Sequence, residues 1–333
     1  MDGILVVDKP AGPTSHDVVA LVRRLSATKR VGHGGTLDPF AAGVLPLFLG
    51  RATRVAEYHL GDRKRYRATV CFGATSTTDD LEGELTPLDG RAPTREVVER
   101  ALERFRGRIT QTPPAYSAIK VGGRRAYALA RAGQTVQLTP RDVEVHRLEL
   151  VAWDAADADR PIAILEIECS ASTYVRSLAR DLGAALGSGA YLGALTRTAS
   201  GSFELDAATS LEVVRDAAAA SPEALRSLLL PVDAGLEAFP VVEVAPDDVE
   251  ALARGQLVTP PSPLAGDADA RYRVVGPGGE LLAIAAVRGE RLAPDKVFVE
   301  PRARPRLDVT AVEAAELDPT VDIDPDPAAV DDA

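Results

Sequence analysis

The chain has 333 residues, 46% hydrophobic and 26% charged, with a formal net charge of −11, as in a soluble globular protein. No apolar run approaches the roughly 20 residues that span a bilayer, and residues 1–13 lack the regions of a signal peptide, so we expect no membrane partner. The two cysteines, Cys71 and Cys169, show no metal-ligand spacing, and we expect buried reduced thiols in a cytoplasmic protein.

The negative charge is concentrated near the C-terminus. Residues 1–150 contain 23 Lys and Arg against 17 Asp and Glu, a net of +6, whereas residues 308–333 contain nine acidic residues and no basic one. Because local fields matter more for binding than the sum of charges, a nucleic-acid partner stays open.

The first residues predict a strand and a capped helix. Gly3–Lys9 is a short apolar run that ends at Pro10, which is typical of a strand. Thr14 or Ser15 can cap a helix whose apolar side is formed by residues 18, 19, 21, 22 and 25.

The segment Val31–Pro39, VGHGGTLDP, fixes one carboxylate, Asp38, in a glycine-rich turn five residues after His33. Glycines allow positive φ and a close approach to a ligand, and the following proline restricts the aspartate to extended conformations. The pattern indicates a carboxylate held in one place, available as a nucleophile or general base. An ordinary turn is the alternative, since Gly, Asp and Pro are turn residues anyway.

A basic stretch leads into the next predicted strand, 65–73, which alternates in the manner of a half-buried strand. Within Lys64–Arg67, Tyr66 is flanked by basic residues, so it can stack on a base while its neighbours neutralise phosphates. The alternative is a tyrosine that faces the core from a charged edge strand. A polar loop is predicted over 76–90.

Thr94 is predicted to cap a helix that reaches about Arg106. The following segment, 109–140, combines Pro and Gly pairs with basic residues and with Tyr116 and Tyr127. Long irregular segments of this kind are often functional, and this one suits an RNA clamp because counterion release drives binding to a polyanion. A solvated loop is the alternative.

Two strands are predicted near 143–151 and 162–170, followed by a helix over Tyr174–Leu186 that ends at Gly187. Another helix is predicted over about 211–219. Arg176 falls in the first turn of its helix, where the helix dipole disfavours a cation, so a local anion is indicated and Asp38 is a candidate. A surface arginine is the alternative.

The composition changes near Leu236, and residues 239–301 predict a small β-rich domain of about 60 residues with Pro and Gly turns. Its predicted apolar runs are Tyr272–Val275, Leu281–Val287 and Lys296–Val299. From about Pro305 the chain is acidic, rich in Pro and Ala and free of aromatic residues, so we expect disorder. No P-loop, GxGxxG, CxxC pair or HExxH motif occurs, so no metal or nucleotide cofactor is predicted.

Taken in order, seven segments within about residues 2–235 resemble the TruB-type tRNA pseudouridine synthases. They are GILVVDKPAGPTS at 3–15, GHGGTLDPFAAGVLP at 32–46, GRATR at 50–54, KRYRATVCFG at 64–73, PPAYSAIK at 113–120, STYVRSLARDLG at 172–183 and GAYLGALTRT at 189–198.

The resemblance implies an α+β fold: a mixed, largely antiparallel sheet with flanking helices, an active-site cleft and an RNA-gripping thumb at about 109–140. The implied domains are a catalytic domain over 1–235, a PUA-like RNA-binding domain over 236–303 and an acidic disordered tail over 304–333. The implied reaction converts the T-loop uridine at tRNA position 55 to pseudouridine without a cofactor. The partner would be the T arm of tRNA, and nothing in the sequence demands more than a monomer.

The resemblance also implies three catalytic residues. Asp38 matches the catalytic aspartate, which either attacks the sugar or uracil or removes the C2′ proton of the sugar. Tyr66 matches the tyrosine that stacks on the flipped uracil and takes part in late proton transfer. Arg176 matches the arginine that keeps the aspartate ionised and oriented.

Seven further residues are implied at the substrate. His33 matches a histidine that holds the disrupted T loop, although a structural turn histidine is the alternative. Tyr174 would pack near the site, Leu195 would line the uracil pocket and Lys9 would support the aspartate loop. The thumb would contribute Lys120, Arg124 and Arg125.

The chain departs from the family pattern in two places. The Thr-rich loop reads STTDD at 76–80, and the Leu-Arg-Arg step reads Leu195-Thr196-Arg197. Two other functions stay open: a tRNA-folding factor that acts by binding alone, and a small-molecule enzyme whose glycine-rich turn cradles a phosphate.

Overall fold

The computed structural model describes residues 1–88, 92–117, 119–264 and 270–301. The predicted acidic tail, 304–333, lies outside the described residues. The elements of the N-terminal half are β1 Gly3–Lys9, α1 Ser15–Leu25, β2 Val31–His33, β3 Ala42–Leu49, α2 Ala56–Leu60, β4 Lys64–Phe72, β5 Ala74–Ser76, β6 Leu85–Pro87, α3 Arg95–Leu102, β7 Gly107–Gln111, β8 Lys120–Val121, β9 Arg124–Arg125 and α4 Ala126–Arg131. Short 3-10 helices follow β3 and α3.

The second half contains β10 Arg141–Asp154, β11 Ile162–Cys169, α5 Val175–Leu186, β12 Ala190–Ser200, β13 Phe203–Glu204, β14 Thr209–Ser210, α6 Leu211–Ala220, α7 Pro222–Arg226, β15 Val241–Glu243, α8 Pro246–Ala253, β16 Arg271–Val275, β17 Leu281–Arg288 and β18 Arg291–Val297. The predicted strand β1 and the predicted helices α1, α5 and α6 are confirmed, α6 ending one residue later than predicted.

A ten-stranded sheet forms the centre of the molecule. Its strand order is β14-β1-β3-β12-β4-β11-β10-β7, with β2 paired to β3 and β13 to β12. Strands β1 and β14 are parallel, as are β3 and β12, and the remaining pairs are antiparallel. The predicted mixed, largely antiparallel sheet with flanking helices is therefore confirmed.

Helices α1, α3 and α5 cover one face of this sheet and form the main core. The periodicity of their apolar residues explains the packing, since Val18, Val22, Leu178 and Leu182 recur at helical spacing and are all buried. The capping box of Thr14 with Asp17 fixes the start of α1, and Gly187, at φ +69°, ends α5.

The opposite face of β1 and β3 packs against residues that follow β3 and against the C-terminal strands. Ile284 and Phe298 share this second core with Val44 and Phe48. The C-terminal strands form their own four-stranded sheet, β15-β16-β17-β18, with a third core that includes Tyr272. The predicted small β-rich unit is thus a sheet that packs against the larger one.

Several local predictions were wrong in detail. The polar loop predicted over 76–90 contains β6 and the last residue of its partner β5. The run predicted at Lys296–Val299 overlaps only the last two residues of β18. The helix predicted to reach Arg106 becomes a 3-10 turn after Leu102. Cys169 is buried as predicted, whereas Cys71 is only partly buried.

Candidate active site

The glycine-rich turn joins β2 to β3 and is tied to its surroundings on both sides of Asp38. The Ser15 hydroxyl accepts a hydrogen bond from the Leu37 amide at 2.9 Å and donates to the Leu37 carbonyl at 3.0 Å. The Pro39 carbonyl accepts from the Gly12 amide at 2.8 Å. Both neighbours of the aspartate are therefore anchored, which fixes where its side chain leaves the backbone.

Lys9 supports the same turn from within the core. Its side chain is fully buried, and Nζ donates to the carbonyls of Pro10 at 2.8 Å, Pro13 at 2.9 Å and Pro39 at 3.3 Å. Burial lowers the pKa of Lys9 to about 8, although the nearby Asp38 carboxylate opposes the shift. Lys9 therefore contacts the loop itself, with no surface open to a substrate.

Arg176 meets Asp38 as the sequence indicated. Nη2 donates to Oδ1 at 3.0 Å, and Nε lies 2.9 Å from Oδ2, so the guanidinium faces both carboxylate oxygens. The Arg176 side chain is 5% exposed, whereas that of Asp38 is 32% exposed. The carboxylate is thus held from one side and open on the other.

Three further groups fix Arg176. Its Nη1 lies 3.2 Å from Oδ2 of the buried Asp80 and donates to the Thr78 carbonyl at 3.2 Å. Its Nη2 also donates to the Tyr116 carbonyl at 3.0 Å. The cation that the helix dipole disfavours at this position is therefore compensated by two carboxylates and two carbonyls.

Asp80 was not singled out from the sequence. One signal was present: Arg176 and Arg180 are four residues apart, on one face of α5, and the loop at 76–80 ends in two aspartates. The structure pairs Arg180 with Asp79 at 2.8 Å and Arg176 with Asp80. The loop at 76–80 thus supplies an acidic partner to each of the two arginines.

Burial raises the pKa of Asp38, and this effect is larger than the opposing effect of the Arg176 guanidinium. The Asp80 carboxylate raises it further, whereas Lys9 lowers it. Arg176 was expected to keep the aspartate ionised. It acts in that direction, but the net result is a carboxyl group less acidic than an exposed aspartate.

Tyr66 faces the main core from β4 with its ring partly exposed, and Leu195 lies on the neighbouring strand β12 opposite Ala68. Burial raises the pKa of Tyr66, Arg197 opposes the shift and Asp38 adds to it. Tyr66 and Asp38 are therefore within electrostatic reach of each other, and Leu195 contributes a buried apolar side chain to the core that Tyr66 packs against.

Arg197 was noted in the sequence only as part of a family motif. It is 1% exposed, directly opposite Tyr66 across β12 and β4. Its guanidinium donates to the carbonyls of Val44 at 2.7 Å, Gly35 at 3.1 Å and Thr36 at 3.4 Å. The sequence did contain a signal for Arg197. It lies two residues after the apolar Leu195, and residues two apart on a strand share a face, so a cation is placed on the face that points to the core.

His33 is half-buried at the end of β2. Its Nδ1 accepts a hydrogen bond from the Gly35 amide at 3.3 Å, and its ring meets that of His16 edge-on, with centroids 5.6 Å apart. Burial lowers the pKa of His33, and His16 and Arg197 lower it further. The lowered pKa favours the neutral ring, whose Nδ1 stabilises the turn, while its exposed part is open to a ligand.

The predicted thumb leaves the sheet between β7 and β10. These strands pair up to Gln111 and Arg141, so 109–111 belong to the sheet and 112–140 form the excursion. The side chain of Gln111 donates to the Tyr174 carbonyl at 3.0 Å and accepts from its amide at 2.8 Å, and the Arg141 guanidinium lies 4.8 Å from the Tyr174 ring centroid. Tyr174 therefore joins α5 to the base of the thumb.

The cations proposed to hold RNA lie on the β8–β9 hairpin of the thumb. Lys120, Arg124 and Arg125 are exposed, and Lys120 is directly opposite Arg125. Like charges in that position repel each other, and within the described ranges no acidic side chain forms an ion pair with any of the three. The hairpin is thus suited to a polyanion.

Within the same described ranges, no cluster of three His, Cys, Asp or Glu side chains is arranged to hold a metal ion. No helix among them is long and apolar enough to cross a membrane.

Comparison with known proteins gives consistent matches. The sequence model of the TruB family pseudouridylate synthase N-terminal domain matches residues 23–175, and that of the tRNA pseudouridylate synthase B C-terminal domain matches 176–237. A tRNA pseudouridine synthase B of Bradyrhizobium diazoefficiens is 45% identical over 299 residues, which cover 89% of this chain and 85% of the relative.

A tRNA pseudouridine synthase B of Mycobacterium tuberculosis is 52% identical over 212 residues, covering 63% of this chain and 70% of the relative. Among solved structures, a Cbf5-Nop10-Gar1 complex contains a similar chain, with a TM-score of 0.67 and 26% identity over 90% of this chain and 87% of the other.

Proposed function

The chain belongs to the TruB family of pseudouridylate synthases, and we propose that it converts the T-loop uridine at position 55 of tRNA to pseudouridine. That it is a tRNA pseudouridine synthase follows from its relatives. The observation that carries the proposal for this site is the open carboxylate of Asp38, held by Arg176 in the turn that the family pattern marks.

The reaction is an isomerisation, and its atoms balance within the substrate. The bond between C1′ and N1 breaks, the uracil turns over, and a bond forms between C1′ and C5. N1 gains a proton and C5 loses one, so no group or electron comes from outside. The site then has to hold the base, stabilise charge and move a proton, which side chains can do.

Asp38 is proposed as the catalytic carboxylate, either as a nucleophile or as the base that removes the C2′ proton. Arg176 would orient it through both oxygens and stabilise its charge in a site that burial makes less polar. The sugar would approach the side of the carboxylate that faces away from Arg176, since the Asp38 side chain is 32% exposed.

Tyr66 and Leu195 are proposed to receive the extruded base. A uridine stacked in a folded RNA has to leave its stack before its glycosidic bond is accessible, and enzymes that do this supply an aromatic or apolar surface for the flipped base. Tyr66 is a partly buried aromatic residue and Leu195 a buried apolar one, on adjacent strands. Tyr66 would also take part in the proton transfer from C5.

The T arm of tRNA would lie across the β8–β9 hairpin and the half-buried face of His33. Lys120, Arg124 and Arg125 would neutralise phosphates, and Tyr174, tied to Gln111 and Arg141, would set the position of the thumb relative to the catalytic helix α5.

The test is an in vitro transcript of tRNA with uridine or cytidine at position 55, incubated with the purified protein. Pseudouridine is then mapped by carbodiimide labelling. We expect one labelled site, at 55, in the uridine transcript and none in the other. Label elsewhere would contradict the assignment of the position. Tight binding of both transcripts without label would favour a tRNA-folding factor.

A further inference from the structure

Arg197 is a buried cation whose partners are all backbone carbonyls. Its three acceptors are Val44, in β3, and Gly35 and Thr36, in the turn that carries Asp38. No ion pair with a carboxylate involves it within the described part of the chain. Burying a guanidinium without a counter-ion is costly, so its hydrogen bonds have to compensate.

The position of Arg197 in the sheet is central. Its Cα is paired with Gly43 on the parallel strand β3 and with Tyr66 on the antiparallel strand β4. Gly43 has φ +102°, and a Cβ there would lie 2.2 Å from the Arg197 carbonyl oxygen, so only glycine allows the two strands this close. Arg197 is therefore fixed on β12, between β3, which follows the Asp38 turn, and β4, which carries Tyr66.

Its side chain connects the two halves of the proposed site. The guanidinium reaches the carbonyls of Gly35 and Thr36, three and two residues before Asp38, and lies close enough to Tyr66 to lower the pKa of its hydroxyl. Arginine can do this because its planar fork presents several donors in fixed directions, which a lysine ammonium cannot reproduce at the same reach.

We propose that Arg197 is a positioning residue, which sets the distance between the Asp38 turn and the Tyr66 ring and thereby the rate of the isomerisation. The effect of Arg197 on the rate rests on the proposed function, whereas its effect on the structure of the turn is independent of that function. Arg197 would touch neither the sugar nor the uracil, since it is 1% exposed.

The experiment compares Arg197→Lys with the wild type in three measurements: the single-turnover rate at saturating tRNA, the dissociation constant for tRNA, and amide hydrogen exchange over residues 34–41. The matched control is Arg106→Lys, since Arg106 also donates to a carbonyl, that of Leu148, through Nε and Nη2 at 3.0 and 2.8 Å. Arg106 lies outside the proposed site.

Arg197→Lys is expected to slow the single turnover about 100-fold, the scale of a misplacement of about 1 Å. Its affinity for tRNA should stay within about threefold, because the proposed phosphate contacts are on the thumb. Exchange over 34–41 should be about tenfold faster, because one or two hydrogen bonds are removed. Arg106→Lys should match the wild type in all three.

A wild-type rate in Arg197→Lys would overturn the proposal, as would a slower reaction explained wholly by weaker tRNA binding. If Arg197→Lys does not melt cooperatively, Arg197→Gln is measured in the same way, and failure of both to fold would assign Arg197 to folding and reject the separate positioning role. If the wild type forms no pseudouridine, the proposed function fails, while the exchange data still decide whether Arg197 holds the turn.

Discussion

Asp80 Oδ2 lies 3.2 Å from Nη1 of Arg176, at the other end of the guanidinium from Asp38. Two carboxylates thus share one buried cation, and the structure gives them different surroundings: Asp80 is 3% exposed and Asp38 is 32% exposed. The buried aspartate fixes the arginine, and the open one remains available to a substrate.

Replacing Asp80 by asparagine is expected to slow the reaction about tenfold or more, because Arg176 loses one of the groups that orient it. The Asp80 carboxylate also raises the pKa of Asp38, so Asp80→Asn should move the acid limb of the rate profile to lower pH. In the wild type that limb should lie above the ordinary aspartate value of 3.8, because burial raises this pKa. Single-turnover rates measured between pH 4 and pH 8 give both the loss of rate and the position of the acid limb. If the acid limb of Asp80→Asn lies where it does in the wild type, Asp38 is rejected as the titrating group.

Asp38→Asn should abolish pseudouridine formation and leave tRNA affinity unchanged. This variant should not lower the stability of the protein at pH 7, because burial raises the pKa of Asp38 in the folded state. The stability that the Asp38 carboxyl group contributes is therefore present below its unfolded pKa and is lost as pH rises through its folded pKa. The stability difference in favour of asparagine should therefore grow from pH 4 to pH 7 in urea melts. A difference that shrinks over that range would show that Arg176 outweighs burial.

Lys9→Met should leave the carbonyls of Pro10 and Pro13 without the Lys9 donor, whereas the Pro39 carbonyl keeps the Gly12 amide. We expect a decrease of about 1–3 kcal/mol in the free energy of unfolding, the range for buried groups left unsatisfied, together with a slower reaction at unchanged tRNA affinity. Lys29→Met, at an exposed lysine, is the control. Weaker tRNA binding with a normal rate would instead indicate that Lys9 contacts the RNA.

The double variant Arg124→Ala/Arg125→Ala should bind tRNA more weakly, and its plot of log affinity against log salt should be flatter by about 0.7–0.9 for each phosphate that is no longer neutralised. The exposed pair Arg215 and Arg226, changed in the same way, should leave the slope unaltered. An unchanged slope in the thumb variant would show that the hairpin does not touch phosphates. Fluorescence titrations at several salt concentrations suffice.

The sequence alone determined the local features of this protein. Periodicity and capping residues located β1, α1 and α5, since these depend on the residues within each element. The turn at Val31–Pro39 was also evident, because Gly, Asp and Pro are turn residues. Arg176 stood out because a cation at a helix N-terminus conflicts with the helix dipole.

Tertiary structure decided which residues meet. Asp80, Gln111 and Arg197 lie 42, 73 and 159 residues from Asp38 along the chain. No local pattern links them to it. Their roles depend on the parallel pairing of β3 with β12 and on the loop that brings two aspartates to α5, and such contacts between distant segments are set by how the sheet is ordered rather than by the residues on either side.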